Sequence, residues 1–368
     1  MSKRVLVMAG GTGGHIFPGL AVADYLKAQD WQVRWLGTPG RMEATLVPEH
    51  GYDIDFIDVV GVRGNGIKRL LMAPFMVIKS IRQASKVIDE FKPDVVVGFG
   101  GFASGPGGIA AWLKRVPMVL HEQNAIAGVT NSILAYFAKT VLMAFPNTFE
   151  RRHKARVVGN PVRPDIAALA KQKAEAKTTD GAHKLNVLVV GGSLGAKVFN
   201  EDLPAILAGT ELQWQLSIWH QTGKSRSDND IAAIVEKSYR DSGFTELKVT
   251  EFIADMADAY QWADLVICRA GALTVSEVAA AGKAAVFVPF PHAVDDHQTL
   301  NAKWLADEQG AIIVQQSDLH QPAVLSQLTE LLASEQQIMQ MGEKAQSIAI
   351  IDATEQVANC CIELAHRR

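Results

Sequence analysis

The same local pattern, an apolar strand followed at once by a glycine-rich loop and a helix, occurs once in each half of the chain. Residues 5–8 (VLVM) run into residues 10–15 (GGTGGH), and residues 186–190 (NVLVV) run into residues 191–196 (GGSLGA). Such strand–loop–helix units build parallel sheets that helices cover on both faces. The pattern predicts two doubly wound, Rossmann-like α/β domains facing across a cleft, with ligands bound where the strands end.

Length and proline placement indicate where the domains divide. A chain of 368 residues exceeds the roughly 250–300 residues at which one hydrophobic core stops growing. Prolines at 161 and 164 favour an extended connector. We predict one domain over residues 1–162, with a C-terminal helix near 351–368 packing back on it, and a second over residues 163–350. Further strands are predicted at 32–36, 55–60, 94–97, 118–120, 140–143, 215–219, 247–250, 265–268, 285–288 and 311–314.

Charge is distributed unequally between the two halves. Residues 1–162 hold 19 Lys and Arg against 12 Asp and Glu, a net +7, whereas the remainder holds 17 against 27, a net −10. Only the first half favours an anionic partner surface, and no nucleic-acid partner is expected. Cys268, Cys360 and Cys361 offer neither zinc-ligand spacing nor a disulfide framework, so we expect core residues. No apolar run reaches the roughly 18 residues of a membrane span, which favours a cytosolic location.

Two glycine-rich loops of the first domain are candidate anion cradles. Backbone N–H groups and a helix dipole at residues 10–15 can hold a phosphate. A dinucleotide site is the rival, but Ile16 stands where a third glycine belongs, and Gly37-Thr38 where an acidic residue belongs. Residues 98–105 form a second cradle, unless their glycines only allow close helix packing. Neither segment contains an acidic residue, so both segments suit an anionic ligand. We expect an acceptor diphosphate to be bound there by Gly11, Gly13, Gly14, Gly100, Gly101 and Ser104.

The second domain carries a separate set of candidate donor-site loops. Residues 191–196 resemble half a phosphate site, with Ser193 as a hydroxyl donor, but lack the Gly-Lys-Ser/Thr ending of a P-loop. Arg163 is a candidate partner for the same diphosphate, unless it is a solvated surface charge. We expect Thr274 and Ser276 to satisfy the opening turn of a helix, and Glu277 to accept ribose hydroxyls or to complement the helix dipole. Asp295-Asp296 favours helix capping rather than a metal site.

Seven ordered motifs resemble the MurG family, the UDP-N-acetylglucosamine transferases of peptidoglycan synthesis. They lie at residues 10–18, 98–106, 121–124, 159–163, 191–196, 270–277 and 296–302. The resemblance implies a glycosyltransferase-B fold and inverting transfer of N-acetylglucosamine to undecaprenyl-diphosphoryl-N-acetylmuramoyl-pentapeptide, converting lipid I to lipid II. It implies no metal and no cofactor, since UDP-N-acetylglucosamine is a substrate. It also implies a peripheral position at the cytoplasmic face of the inner membrane, with cell-wall assembly proteins as candidate partners.

The resemblance also carries roles onto individual residues of this sequence. It places Thr12, Gly13, Gly14 and Asn124 near the transferred sugar and acceptor, and Arg163 and Ser193 near the donor diphosphate. The backbone of Ile253 would contact the uracil, and Gln298 would contact the sugar hydroxyls. His297 departs from the family pattern, where a second glutamine is expected, and residues 291–295 look one residue longer. Phosphate and ribose would be held by Ala272, Leu273, Thr274, Val275, Ser276 and Glu277.

Inversion needs a base that takes the proton of the acceptor hydroxyl. His15 is our first candidate, because a loop histidine with an ordinary pKa of roughly 6.5 can be neutral at working pH. Glu122 is the alternative base, and loop ordering is the alternative role of His15.

Membrane contact is expected from residues 67–79 with Trp112, Lys114 and Arg115, which mix apolar and cationic side chains suited to an anionic bilayer; a buried helix is the alternative.

Rival functions are a UDP-N-acetylglucosamine epimerase or another glycosyltransferase-B enzyme, an NAD-dependent oxidoreductase, and a non-catalytic nucleotide-sugar sensor.

Overall fold

The computed structural model describes residues 2–59, 66–149, 155–171, 184–192, 194–210, 212, 215–224 and 230–367, and side chains are described for all of these except residues 66–73 and 294. The chain divides into two compact units. Unit 1 comprises Met1–Arg163 with Ile350–Arg368, and unit 2 comprises Pro164–Ala349. Within the described ranges, no helix is both long enough and apolar enough to span a membrane.

Unit 1 is a doubly wound α/β domain built on a parallel sheet of order β3-β2-β1-β4-β5-β6-β7. In chain order its elements are β1 (Arg4–Ala9), α1 (Gly13–Lys27), β2 (Gln32–Gly37), α2 (Glu43–Glu49), β3 (Asp53–Phe56), α3 (Gly66–Phe91), β4 (Val95–Gly100), α4 (Ser104–Leu113), β5 (Met118–Glu122), α5 (Val129–Leu134), β6 (Thr140–Met143) and β7 (Arg156–Val157). Because β1 pairs with both β2 and β4, the strand order reverses beside β1. The loops after β1 and β4 therefore border the crevice where such sheets bind ligands.

Alternation along β1 builds two cores in unit 1, one on each face of the sheet. Val5 and Val7 belong to the core under α1, and Leu6 and Met8 belong to the core under α3 and α4. The C-terminal helix of the chain (Ala353–His366) packs against α1, β4 and β5. Its cysteines, Cys360 and Cys361, are buried and unpaired in the first core, as expected, and burial raises the pKa of both thiols.

Unit 2 repeats the architecture with a parallel sheet of order β10-β9-β8-β11-β12-β13. In chain order its elements are α6 (Pro164–Leu169), β8 (Lys184–Val190), α7 (Lys197–Ala208), β9 (Gln215–Gln221), α8 (Ile231–Asp241), β10 (Glu246–Thr250), α9 (Met256–Trp262), β11 (Leu265–Cys268), α10 (Ala272–Ala280), β12 (Ala284–Phe287), α11 (His297–Ala306), β13 (Ala311–Ile313), α12 (Pro322–Leu332) and α13 (Glu335–Ser347); α14 (Ala353–His366) follows and belongs to unit 1. Here the order reverses between β8 and β11, so the loops after these two strands border the equivalent crevice.

Candidate active site

The loop after β1 places His15 in the first turn of α1. Thr12 is the N-cap residue, with extended backbone angles of φ −134° and ψ 159°, and its side chain makes no capping hydrogen bond. Instead, Thr12 Oγ1 lies 3.3 Å from His15 Nδ1. A Cβ built on Gly100 would lie 3.1 Å from His15 Nε2, so the imidazole stands directly beside the loop after β4. The structure thus brings His15, Thr12 and Gly100 together.

A buried carboxylate that sequence reasoning missed lies under this loop. Glu43, at the start of α2, is 1% exposed and accepts hydrogen bonds from Gly11 N at 2.9 Å, Thr38 N at 3.1 Å and Thr38 Oγ1 at 2.6 Å. The Gly11 amide is therefore directed at a protein carboxylate, which corrects its expected role as a diphosphate donor. It also corrects the expectation that the cradle is free of acidic groups, because Glu43 reaches it from another helix.

The loop after β4 packs tightly against the loop after β1. Gly100 and Gly101 have φ of 110° and 91°, and a Cβ on Gly101 would lie 2.3 Å from Gly10 O, so only glycine fits there. Ser104 is fully buried, and its single hydroxyl hydrogen is shared between two carbonyl oxygens, Met8 O at 2.9 Å and Gly100 O at 2.7 Å. Ser104 therefore fixes the loop to β1, and its expected role as a diphosphate ligand is corrected as far as the hydroxyl is concerned.

Glu122, the alternative base, is fully engaged inside the protein. It ends β5, is 2% exposed, and accepts hydrogen bonds from Asn124 N, Asn124 Nδ2, Gly128 N and Asn131 Nδ2 at 2.8–3.2 Å. A carboxylate offers about four acceptor positions. Because all are used and the group is buried, Glu122 orders the segment that carries Asn124 and is a poor general base.

His121 supports the same segment as a neutral imidazole. Its Nε2 donates to Gly159 O at 2.8 Å, and its Nδ1 accepts from Gln123 Nε2 at 3.0 Å. Burial lowers the pKa of His121 to about 4, against the smaller opposing effect of the bond to Gly159. His15, in contrast to His121, is partly exposed.

In unit 2, the loop after β8 is closed by glycines in left-handed backbone conformations. Gly192 and Gly195 have φ of 87° and 71°, and Gly195 N donates to Gly192 O at 2.8 Å. Ser193 lies outside the described residues, so its expected contact stays a prediction. Ile253 is buried beside the exposed Phe252 in the segment after β10. Arg163 is partly exposed and lies at the end of the first chain segment of unit 1.

The loop after β11 leads into α10 through Gly271, its N-cap residue. The Ser276 hydroxyl donates to Ala272 O at 3.0 Å, one turn back, so Ser276 does not satisfy the opening turn as expected. Thr274 Oγ1 lies 3.7 Å from the Cβ position of Gly271, over the start of the helix. Glu277 is buried and accepts from Tyr260 OH at 3.2 Å, a contact that sequence reasoning missed.

The segment before α11 is shaped by two residues with left-handed backbone angles. Asp295 and Asp296 have φ of 54° and 51°, and Asp296 Oδ1 accepts from Thr299 Oγ1 at 2.7 Å rather than from a backbone amide. Gln298 Oε1 accepts from Phe290 N at 2.9 Å, which holds this side chain over the end of β12. No group of three or more His, Cys, Asp or Glu side chains in the described parts of the chain could hold a metal ion.

Comparison with known proteins decides the family. The glycosyltransferase family 28 N-terminal domain model matches residues 5–143, and the family 28 C-terminal domain model matches residues 186–357. The chain is 55% identical over 365 residues to the UDP-N-acetylglucosamine–N-acetylmuramyl-(pentapeptide) pyrophosphoryl-undecaprenol N-acetylglucosamine transferase of Aeromonas hydrophila, covering 99% of this chain and 98% of that one. A protein of the same name from Shewanella oneidensis is 56% identical over 366 residues, with the same coverage.

Solved structures agree. The crystal structure of Acinetobacter baumannii MurG matches with a TM-score of 0.82 and 45% identity, over 98% of this chain and 99% of that one. The chain belongs to the MurG family. A UDP-N-acetylglucosamine 2-epimerase from Neisseria meningitidis matches at 12% identity with a TM-score of 0.64, which shows a shared fold alone. The predicted glycosyltransferase-B fold and family membership are thus confirmed, and the chain is a glycosyltransferase.

The surface expected to meet a membrane is partly described in this MurG-family chain. Side chains of residues 67–73 lie outside the described set. Beyond them in α3, Phe75 is 70% exposed, and Val77 and Ile78 are also exposed, so the buried-helix alternative is wrong for this part. Trp112 at the end of α4 is exposed as well and contacts the Phe137 ring. Two of the expected cations are paired, Lys79 with Asp58 at 2.8 Å and Lys114 with Asp89 at 2.6 Å.

Proposed function

We propose that this chain transfers N-acetylglucosamine from UDP-N-acetylglucosamine to the N-acetylmuramoyl sugar of undecaprenyl-diphosphoryl-muramoyl-pentapeptide, with inversion. The observation that carries the proposal is the meeting of two glycine loops beside the partly exposed His15 in unit 1, at the point where the strand order reverses. The names of relatives at 55% identity over nearly full length support the same reaction.

In the proposed acceptor site, the diphosphate lies at the N-terminus of α1. The amides of Gly13 and Gly14 and the dipole of this 15-residue helix supply positive potential there. Gly100 and Gly101 let the second loop approach without side chains. Asn124, held by Glu122, would contact the transferred sugar.

In the proposed donor site, the UDP moiety lies at the strand ends of unit 2. The start of α10 would hold phosphate, Glu277 the ribose, and the backbone of Ile253 the uracil. Arg163 and Ser193 would contact the diphosphate, and Gln298 the sugar. Because Gln298 Oε1 already accepts from Phe290 N, its Nε2 is the group that would donate to a sugar hydroxyl.

The decisive assay is release of UDP from UDP-N-acetylglucosamine with and without the lipid-linked acceptor. We expect release only when the acceptor is present. Release without acceptor would point instead to hydrolysis, and conversion of the sugar without release would point to an epimerase. Absence of both activities, with the acceptor present, would refute the proposed function.

We also propose that His15 is the general base. With its Nδ1 beside the Thr12 hydroxyl, its Nε2 is the nitrogen that would take the acceptor proton. His15→Ala should lower kcat by about 100-fold or more while the affinity for UDP-N-acetylglucosamine stays within about twofold. The exposed His50, at the end of α2, supplies the control variant His50→Ala, which should retain full activity. An unchanged kcat in His15→Ala would remove His15 from the chemistry.

We further propose that the chain is a peripheral protein of the cytoplasmic membrane face, bound through the exposed apolar residues of α3 and α4. Phe75, Ile78 and Trp112 would enter the interface, while Arg115 would meet anionic headgroups. Since Lys79 and Lys114 are paired with carboxylates, apolar insertion carries more of the binding than the sequence suggests.

A further inference from the structure

One buried amide in unit 2 joins two loops of the proposed donor site. Gln221 is the last residue of β9, and the register places it beside Val190, the end of β8, and beside Thr250, the end of β10. The loop that follows β8 carries Gly192, and the segment that follows β10 carries Glu251. Gln221 therefore stands between the proposed diphosphate loop and the proposed uracil segment.

The Gln221 side chain bonds to both segments at once. Its Nε2 donates to Gly192 O at 3.0 Å and to Glu251 O at 3.0 Å. The side chain is 3% exposed, and its Oε1 has no hydrogen-bond partner among the described residues. Leaving the buried oxygen unpaired carries a desolvation cost. Because the oxygen has no partner, the two bonds from the nitrogen fix the position of the amide.

The two accepting carbonyls are also fixed by backbone groups. Gly195 N donates to Gly192 O at 2.8 Å, and Gly223 N donates to Glu251 O at 3.0 Å. A Cβ on Gly223 would lie 2.2 Å from Gly195 N, so the loops after β8 and β9 are already in backbone contact. Gln221 is the side chain that ties both of them to the segment after β10.

We propose that Gln221 is a positioning residue for the donor nucleotide, an inference that rests on the proposed donor site. It sets the distance between the loop after β8 and the segment after β10, and so the fit of a nucleoside diphosphate that spans both. Because its side chain is buried and bonded to Gly192 O and Glu251 O, it acts through these two residues. It also holds their carbonyl oxygens away from the incoming phosphates, leaving amide groups to face the anion.

The test measures binding of UDP and of uridine to the full chain by calorimetry. Gln221→Met keeps the side-chain volume but removes both donated bonds. UDP spans both loops, whereas uridine engages only the uracil segment. We expect the Kd for UDP to rise about tenfold or more, and the Kd for uridine to rise no more than about threefold. KM for UDP-N-acetylglucosamine should rise with kcat nearly unchanged.

A matched control separates positioning from simple destabilisation. Asn186, near the opposite end of β8, donates a hydrogen bond from its Nδ2 to Trp262 O at 2.9 Å, so Asn186→Leu also removes a side-chain amide hydrogen bond that starts from this sheet. It should lower the melting temperature without changing UDP binding. If Gln221→Met does not fold, Gln221→Leu serves instead, because it also removes both donated bonds and adds no charge beside the proposed phosphate site.

Two results would overturn the inference. One is a Kd for UDP within threefold of wild type in a folded Gln221 variant, and the other is an equal loss for uridine and UDP. Either would leave the proposed function intact as long as the wild-type chain binds UDP and releases it with the acceptor. Failure of the wild-type chain in that assay would instead refute the proposed function itself.

Discussion

Replacing Glu43 by glutamine should loosen the loop that carries His15. The carboxylate receives three charge-assisted hydrogen bonds, one from Gly11 N and two from Thr38, and it is almost completely buried. In Glu43→Gln the remaining oxygen can keep the two bonds from Thr38 as neutral ones. The new NH₂ group then faces the Gly11 N–H, donor against donor, so that bond is lost.

The size of the effect follows from these three bonds. A hydrogen bond to a charged group contributes about 1.5–3 kcal/mol to the free energy of unfolding, and a neutral hydrogen bond contributes about 0.5–1.5 kcal/mol. Glutamine also avoids the desolvation cost of a buried charge, which offsets part of the loss. We expect a net loss of about 2–3 kcal/mol in the unfolding free energy of unit 1. For a domain of this size that corresponds to a melting temperature lower by about 4–12 °C. Because the loop moves with Gly11, kcat should also fall, by about tenfold or more.

The assay pairs thermal unfolding, followed by circular dichroism, with UDP release. Glu49→Gln is the matched control, since Glu49 ends the same helix and is exposed, so the same chemical change should alter neither quantity. A melting temperature and kcat equal to those of wild type would refute the role given to Glu43. A lower melting temperature with unchanged kcat would leave Glu43 a fold-stabilising residue and remove its link to the loop.

Three further predictions concern the same unit. Gly101→Ala should abolish activity and lower stability by several kcal/mol, because its Cβ would meet Gly10 O and its φ is positive; activity near wild type would contradict the loop contact. The His121 pKa of about 4 lies below its unfolded value of roughly 6.5, so its stability contribution is complete above pH 6.5 and is lost as pH falls toward 4. Denaturant unfolding at pH 7 and 5 should show a loss of about 2 kcal/mol that His121→Gln lacks. Sedimentation with anionic vesicles should weaken strongly in Phe75→Ser but only mildly with salt, and unchanged binding would refute the apolar contact.

The sequence predicted most of the sheet because its central strands are continuous apolar runs between glycines. Strands at 140–143 and 265–268 agree with the structure. The strand predicted at 55–60 is misplaced: β3 is Asp53–Phe56, an edge strand that alternates acidic and apolar residues, residues 57–59 are not in a strand, and residue 60 lies outside the described residues. The apolar residues that follow it drew the prediction too far along the chain. The two-residue strand β7 was missed because it is too short to have a pattern.

The residues that position the loops were harder to find from sequence. Glu43 lies 32 positions from Gly11, whose amide it binds, and only the parallel pairing of β1 with β2 brings them together. Gln221 did carry a signal, since His-Gln-Thr-Gly at 220–223 follows an apolar strand just as the other loops do. Ser104 was expected to bind the diphosphate and Glu122 to be the alternative base, both from motif position alone, whereas burial and hydrogen bonding assign them structural roles.

Buried carboxylates hold loops of unit 1, whereas a buried neutral amide joins loops of unit 2, and the charge distribution gives a reason. In unit 1, which is rich in cations, the supports are carboxylates, Glu43 and Glu122, which accept from loop amides. In unit 2, where residues 164–349 hold 14 Lys and Arg against 24 Asp and Glu, a net −10, the support is the neutral Gln221, which donates to loop carbonyls. A carboxylate there would add to a field that already opposes a nucleoside diphosphate. In the proposed donor site, a neutral donor that occupies carbonyl oxygens would leave amides to face the phosphates, which would let an acidic domain bind an anionic nucleotide.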